Sequence, residues 1–117
     1  LSGTDRKLPV STFLTSEAFL DSDRETVRRF TRAYREVVDR LVSEDDHWEV
    51  VGEELMTYDD PRIVRAVRDG WRDMVVRDWN RETVDGMERL FEYLRDVGGP
   101  EALGVDHIPE GTFVTDP

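Results

Sequence analysis

Cysteine is absent, so the chain has neither a disulfide staple nor a thiolate for covalent or metal chemistry. Lysine is nearly absent: Lys7 stands alone beside 15 arginines. Histidine is down to His47 and His107. No apolar run approaches the roughly 20 residues that a helix needs to span a bilayer, so direct membrane insertion is not expected. There is no Gly-rich phosphate loop, and no Ser-His-Asp or Lys-based constellation can be assembled with any specificity. These absences remove the usual signatures of catalysis, and the expectation is a chain with no catalytic, cofactor-binding or metal-binding residues. No export signal is visible; because the chain begins at Leu1 rather than Met, the expectation is a cut or processed piece, and that silence carries no cellular address.

Acid is what the sequence has in excess. Asp and Glu number 27 against 16 bases, a formal charge of -11 on 117 residues. A surface rich in Asp and poor in Lys suits a protein that works in high salt, where self-repulsion is screened. It speaks against a nucleic-acid partner, because the arginines alternate with acids and the net field repels phosphate. The apolar residues, 38% of the chain, recur with a period, so the composition is that of a folded chain with a modest core.

The organising stretch is Ser22 to Leu41. Val27, Phe30, Tyr34, Val38 and Leu41 recur at three- and four-residue spacing, which lines them along one helical face with Val37 beside them. Arg24, Arg28, Arg32, Arg35, Glu36 and Asp39 fill the other faces. Ser22 with Glu25 three residues on has the form of a capping box. An apolar face of this kind has to be covered by the chain or by a partner.

The remainder predicts a mostly α fold: four or so amphipathic helices and one short N-terminal strand, in a single helical domain or fragment over residues 1–117. Residues 10–15, VSTFLT, read as the strand, although a lone strand needs a sheet partner that the rest of the chain scarcely offers. Ser16 caps a short helical turn. Helices are expected at about 22–42, 46–57, 60–77 and 80–97. Asp60-Pro61 and Asn80 are the start signals of the last two, and Gly98-Gly99-Pro100 is a stop signal. Gly70, within the third, marks a close approach between helices or is neutral. Residues 101–117 form a C-terminal strap whose Val105, Ile108, Phe113 and Val114 pack back onto the helices.

Each residue set with chemical potential has a plainer reading. His47 and His107 with Asp45, Asp46 or Asp106 match no zinc spacing, and solvated histidines in loops or at helix ends are ordinary. Glu53-Glu54 and Asp59-Asp60 are paired carboxylates in a chain where acidic neighbours arise by chance, and Asp60 has a better use as an N-cap. Trp48 and Trp71 fit the apolar faces of their helices, and Trp79 sits where an aromatic staples a helix start. Tyr34 and Tyr93 pack in a core or instead line a pocket or a contact surface.

The order of features carries a resemblance. The stretch FLTSEAFLDSDRETVRRFTRAYREVVDRLVSED resembles the C-terminal region of solute-binding proteins of ABC importers, of the nitrate, sulfonate, taurine and thiamine-precursor type. The matching positions are Leu14, Thr15, Ser16, Phe19 and Leu20 in a turn, then Glu25, Thr26, Val27, Arg28 and Phe30 opening a helix. Phe91, Tyr93, Leu94, Gly98 and Phe113 fall at similar places near the end. The likeness covers nearly the whole chain but only the last third or so of a family member. It implies two α/β lobes about a hinge, of which this chain supplies C-terminal scaffold. The ligand contacts lie mainly in the portion not present, so none transfers to a residue here and the ligand-binding residues stay unknown.

On that resemblance the full-length parent captures a small nitrogen- or sulfur-containing solute and docks on an ABC permease, in the periplasm or at the extracellular face of the membrane, without a cofactor. A parent that makes the thiamine pyrimidine is a variant of the same expectation. The isolated chain, lacking the sheet its helices would cover, is expected to self-associate as a dimer or larger through the Val27–Leu41 or Val84–Val97 stripe. The alternative is a stand-alone helical interaction or regulatory domain without catalysis, with a complete core and no unpaired strand. An enzyme built from this chain alone ranks third and would need a carboxylate displaced by burial in a cleft.

Overall fold

The structure, a computed structural model of the chain, describes residues 7–9, 11–58 and 60–117. It is mostly helical, and the chain divides into two compact units, Ser11–Arg77 and Asp78–Pro117 with the N-terminal residues to Val10. No helix among the described residues is long and apolar enough to cross a membrane.

The Ser11–Arg77 unit begins with extended chain. No strand forms over Ser11–Thr15, and Val10, the first residue of the expected strand, lies outside the described residues. Instead Phe13 sets its ring edge-on against Phe30 and Tyr34, with centroids 4.8 and 5.0 Å away. The β-branched character of VSTFLT is a local signal, whereas a strand requires a neighbour to satisfy its backbone. With no such neighbour among the described residues, the aromatic ring finds the helix.

Ser16 caps α1, Glu17–Ser22, by accepting from the Phe19 N–H at 3.1 Å. Helix α2, Arg24–Ser43, is capped by Asp23 and not by Ser22: Asp23 Oδ1 accepts from the Thr26 N–H at 3.2 Å, and Oδ2 accepts from the Thr26 hydroxyl at 2.8 Å. Ser22 is the last residue of α1, and its hydroxyl donates to the Phe19 carbonyl, so it is not free to form the expected box with Glu25. Two cap-competent residues stand side by side, and the one already inside a helix is the one that loses the role.

Helix α3, Asp46–Val50, runs straight into one π-helical stretch, Val51–Met56. This replaces the single α-helix expected over 46–57. Thr57 ends it in the left-handed region, φ 53°. Gly52 in the π turn lies against Val64, and Leu55 stands 77% exposed. Helix α4, Pro61–Met74, starts as the Asp60-Pro61 signal predicts, with Asp60 Oδ1 accepting from the Arg62 N–H at 2.9 Å. It stops three residues short of 77, at Met74. Val75 turns extended with ψ 131°, and Arg77 pairs with Asp39 of α2 at 2.6 Å.

Trp48 and Val38 are the buried apolar residues of this unit. The Trp48 ring meets Trp71 edge to face at 5.4 Å, and its Nε1–H donates to the Leu41 carbonyl at 2.8 Å. Arg72 of α4 reaches the same end of α2. Its Nε donates to the Leu41 carbonyl at 3.0 Å, Nη2 to the Glu44 carbonyl at 3.3 Å, and Nη1 to Asp45 Oδ1 at 2.8 Å. Arg68 adds a contact to Asp45 Oδ2 at 3.1 Å. The unsatisfied carbonyls of a helix C-terminus and its negative dipole end are what a guanidinium suits.

The second unit is built on α5, Arg81–Gly98. Asn80 caps it as expected, accepting from the Thr83 N–H at 3.1 Å, and the Thr83 hydroxyl donates to the Asp78 carbonyl. Val84 and Gly86 are buried, and a Cβ on Gly86 would stand 2.7 Å from Leu8 Cδ2. Gly99, at φ 81°, ends α5, and Pro100–Leu103 forms α6 in place of the first residues of the expected strap. Irregular chain follows, tied back where Arg95 Nη1 donates to the Asp106 carbonyl at 3.0 Å.

Candidate interaction surface

The residues expected to offer chemistry are placed in plain structural roles or left exposed. His47 Nε2 lies 2.8 Å from Glu44 Oε2, an i,i+3 pair on the surface. His107 is exposed and belongs to the other unit. Asp45 is held by Arg68 and Arg72. No group of three or more His, Cys, Asp or Glu side chains placed to hold a metal occurs among the described residues. Glu53 and Glu54 point to solvent on the π turn; Asp59 lies outside the described residues, and Asp60 is the α4 cap.

Two carboxylates titrate below the ordinary Asp value of 3.8, each because of a neighbouring arginine. Arg62, through its side chain and then its backbone N–H, holds Asp60 down, and Arg68 holds Asp69 down through the hydrogen bond and charge of its side chain. The reciprocal effect raises both guanidinium groups. Both are surface pairs and neither sits in a cleft. The depression lined by Asp60, Arg62, Ile63, Ala66 and Val67 is shallow and open. It has no convergent set of polar groups, which a small-molecule site requires.

What stands out is apolar surface on α2. Of Val27, Phe30, Tyr34, Val38 and Leu41, Val38 alone is buried. Phe30, Tyr34 and Val37 are exposed, and the Phe13 ring that leans on two of them is itself 67% exposed, with Leu14 at 93% beside it in the chain. The edge-on packing of Phe13 makes a contiguous aromatic ridge in place of a covered stripe. In the second unit the tail of the α5 stripe is similarly open, with Val97 70% exposed.

The charge pattern around α2 was not legible from composition. The helix carries six arginines and three acids, a net positive element in a chain of charge -11. Arg29, Arg32, Arg35 and Arg40 are exposed and make no ion pair among the described residues. By helical spacing, Arg29 and Arg40 border the apolar face on the Ala33–Val37 side and Arg35 borders it on the other. The signal that reveals this is the local charge of each helix, which the net charge hides.

Comparisons with protein-family models, with curated proteins and with solved structures return no match to this chain.

Proposed function

We propose that the chain is a non-catalytic helical module that binds protein, and that the α2 face is the part of it completed by other polypeptide. The observation carrying this is the exposure of Phe13, Phe30, Tyr34 and Val37 on one ridge while Val38 alone of the α2 stripe is buried. Apolar surface left in water costs about 25 cal/mol per Å², so a ridge of four large side chains is stable chiefly when something covers it. The test is the chain in solution with an apolar dye and a thermal melt. Dye bound by the helical chain, and displaced when the face is covered, is the expected result. A sharply cooperative monomer that leaves the dye free overturns the reading.

A second reading keeps the family resemblance. The turn at Thr15–Ser16 delivers α1 through the Ser16 cap, and α2 opens at once from Asp23, in keeping with the turn and helix of the resemblance, although the strand it implies before them does not form over Ser11–Thr15. On this reading the covering polypeptide is the α/β lobe of an importer's solute-binding protein. The parent works in the periplasm or at the extracellular face of the membrane. It captures a nitrogen- or sulfur-containing solute and docks on its permease in the closed form. The test is the coding frame upstream of Leu1. A continuous frame whose longer product binds nitrate, a sulfonate or a thiamine-pyrimidine precursor supports it. A frame that opens at Leu1 with its own start overturns it.

A further inference from the structure

Within the Ser11–Arg77 unit, charge is sharply segregated. Helix α2 presents exposed Arg29 and Arg40 on one side of its open apolar ridge and Arg35 on the other, none of them ion-paired among the described residues. The stretch that follows, from Glu44 through α3 and the π turn, carries six acids and no Lys or Arg. Four of those acids, Asp46, Glu49, Glu53 and Glu54, are exposed and make no ion pair among the described residues, in contrast to Asp45 and Glu44, which are engaged within the fold. The acidic element also has apolar surface of its own, with Leu55 77% exposed and Val50 and Tyr58 open beside it. One unit therefore holds two surfaces that match each other in both properties: cationic rim with apolar ridge, and anionic rim with apolar knobs. They stand on neighbouring elements of one chain, and their exposed charges are not spent on each other.

We propose that the α2 ridge binds the α3–π-turn surface of a second copy of this chain, in a two-fold dimer with two crossed contacts. This rests on the reading of α2 as a face completed by protein, and it names the occupant. Two-fold symmetry repeats any contact between unlike surfaces, so each copy gives its basic ridge and receives its partner's acidic one. Opposed potentials of this kind steer association and fix register, while the apolar centre excludes water. A second copy is favoured over an anionic membrane because its α3–π-turn surface offers carboxylates and exposed apolar side chains together, Asp46, Glu49, Glu53 and Glu54 beside Val50 and Leu55, the two properties the α2 ridge lacks a partner for.

The experiment is sedimentation equilibrium at micromolar concentration over a series of salt concentrations. It uses the wild-type chain, an Arg29→Glu/Arg35→Glu/Arg40→Glu variant and a Glu49→Arg/Glu53→Arg/Glu54→Arg variant, with far-ultraviolet circular dichroism verifying that each is helical. The wild type is expected to be dimeric, and each variant alone monomeric because its crossed contacts become like-charged. Mixed in equal amounts, the two variants are expected to regain the dimer, since both crossed contacts are again of opposite sign. A wild type that is monomeric throughout overturns the proposal. So does an arginine-to-glutamate variant that still dimerises, which places the interface elsewhere, or a mixture that stays monomeric. The broader reading fails differently. A monomer that binds apolar dye removes the second copy as occupant and leaves the face to another protein, whereas a monomer that binds none removes the open face itself.

Discussion

Gly52 and Val64 leave no room between them for a methyl group: a Cβ on Gly52 would stand 2.6 Å from Val64 Cγ2 and 3.2 Å from Cγ1. Val64 is β-branched and helical, so it has a single good rotamer and cannot swing aside. The Gly52→Ala variant is therefore expected to lose about 1–3 kcal/mol, the usual cost of overpacking. Gly70 is the contrast. Nothing lies within 4 Å of a Cβ placed there, and the residue sits inside α4. The Gly70→Ala variant is expected to gain about 0.5–1 kcal/mol from helix propensity. Urea titration of the two variants separates them by sign, and a destabilised Gly70→Ala would contradict the open space around it.

Arg72 ties α4 to the end of α2 through three acceptors, the Leu41 carbonyl, the Glu44 carbonyl and Asp45 Oδ1. A lysine has a single ammonium and no planar fork to span these acceptors. The Arg72→Lys variant is expected to unfold at lower urea, with about 1–3 kcal/mol lost, the range for charge-assisted hydrogen bonds. Arg65→Ala, an exposed position on the same helix, is the control and is expected to stay within about 0.5 kcal/mol of wild type. Equal losses at the two positions would mean that the clasp contributes nothing specific.

Much of the helical plan is readable in the chain because its signals are local. Ser16, Asp60-Pro61, Asn80 and Gly99 each mark a helix end through their own chemistry, and each does so in the structure. The misses arise where two local signals compete or where the deciding partner is distant. Asp23 takes the cap from Ser22 because Ser22 is committed to α1. The π turn at Val51–Met56 leaves little trace in apolar spacing, and the close approach of Gly52 to Val64 is a tertiary fact. Phe13 reads as part of a strand, yet its partners are 17 and 21 residues along the chain in Phe30 and Tyr34. The candidate surface was half legible: the α2 stripe is plain in the sequence, while which of its residues stay bare is decided by what the fold does not place over them.

Phe13 touches Phe30 and Tyr34 in the edge-to-face geometry that aromatic quadrupoles favour. A double-mutant cycle over Phe13→Leu and Phe30→Leu is expected to give a coupling of about 0.5–1.5 kcal/mol, beyond the area each ring buries. The cycle is read from urea midpoints at low protein concentration, so that association does not enter. Zero coupling would mean that the N-terminal segment does not hold its ring on α2 in solution.

Asp60 and Asp69 link folding to acid. Both carboxyls are held below 3.8 in the folded chain by Arg62 and Arg68, so the folded state binds protons less readily than the unfolded one. Their contribution to stability is fully present above the unfolded value. It is lost as pH falls through the lower folded values, where both states become protonated. Asn at each position keeps the shape, and at residue 60 keeps a good N-cap, while removing the charge. The Asp60→Asn/Asp69→Asn variant is thus expected to melt below wild type at neutral pH. Its melting temperature should fall less steeply with acid below about pH 4, so that the two curves converge as wild type loses the same charges. Thermal melts by circular dichroism between neutral pH and about pH 2 measure this. Parallel curves over the whole range would show that neither arginine pair contributes to folding.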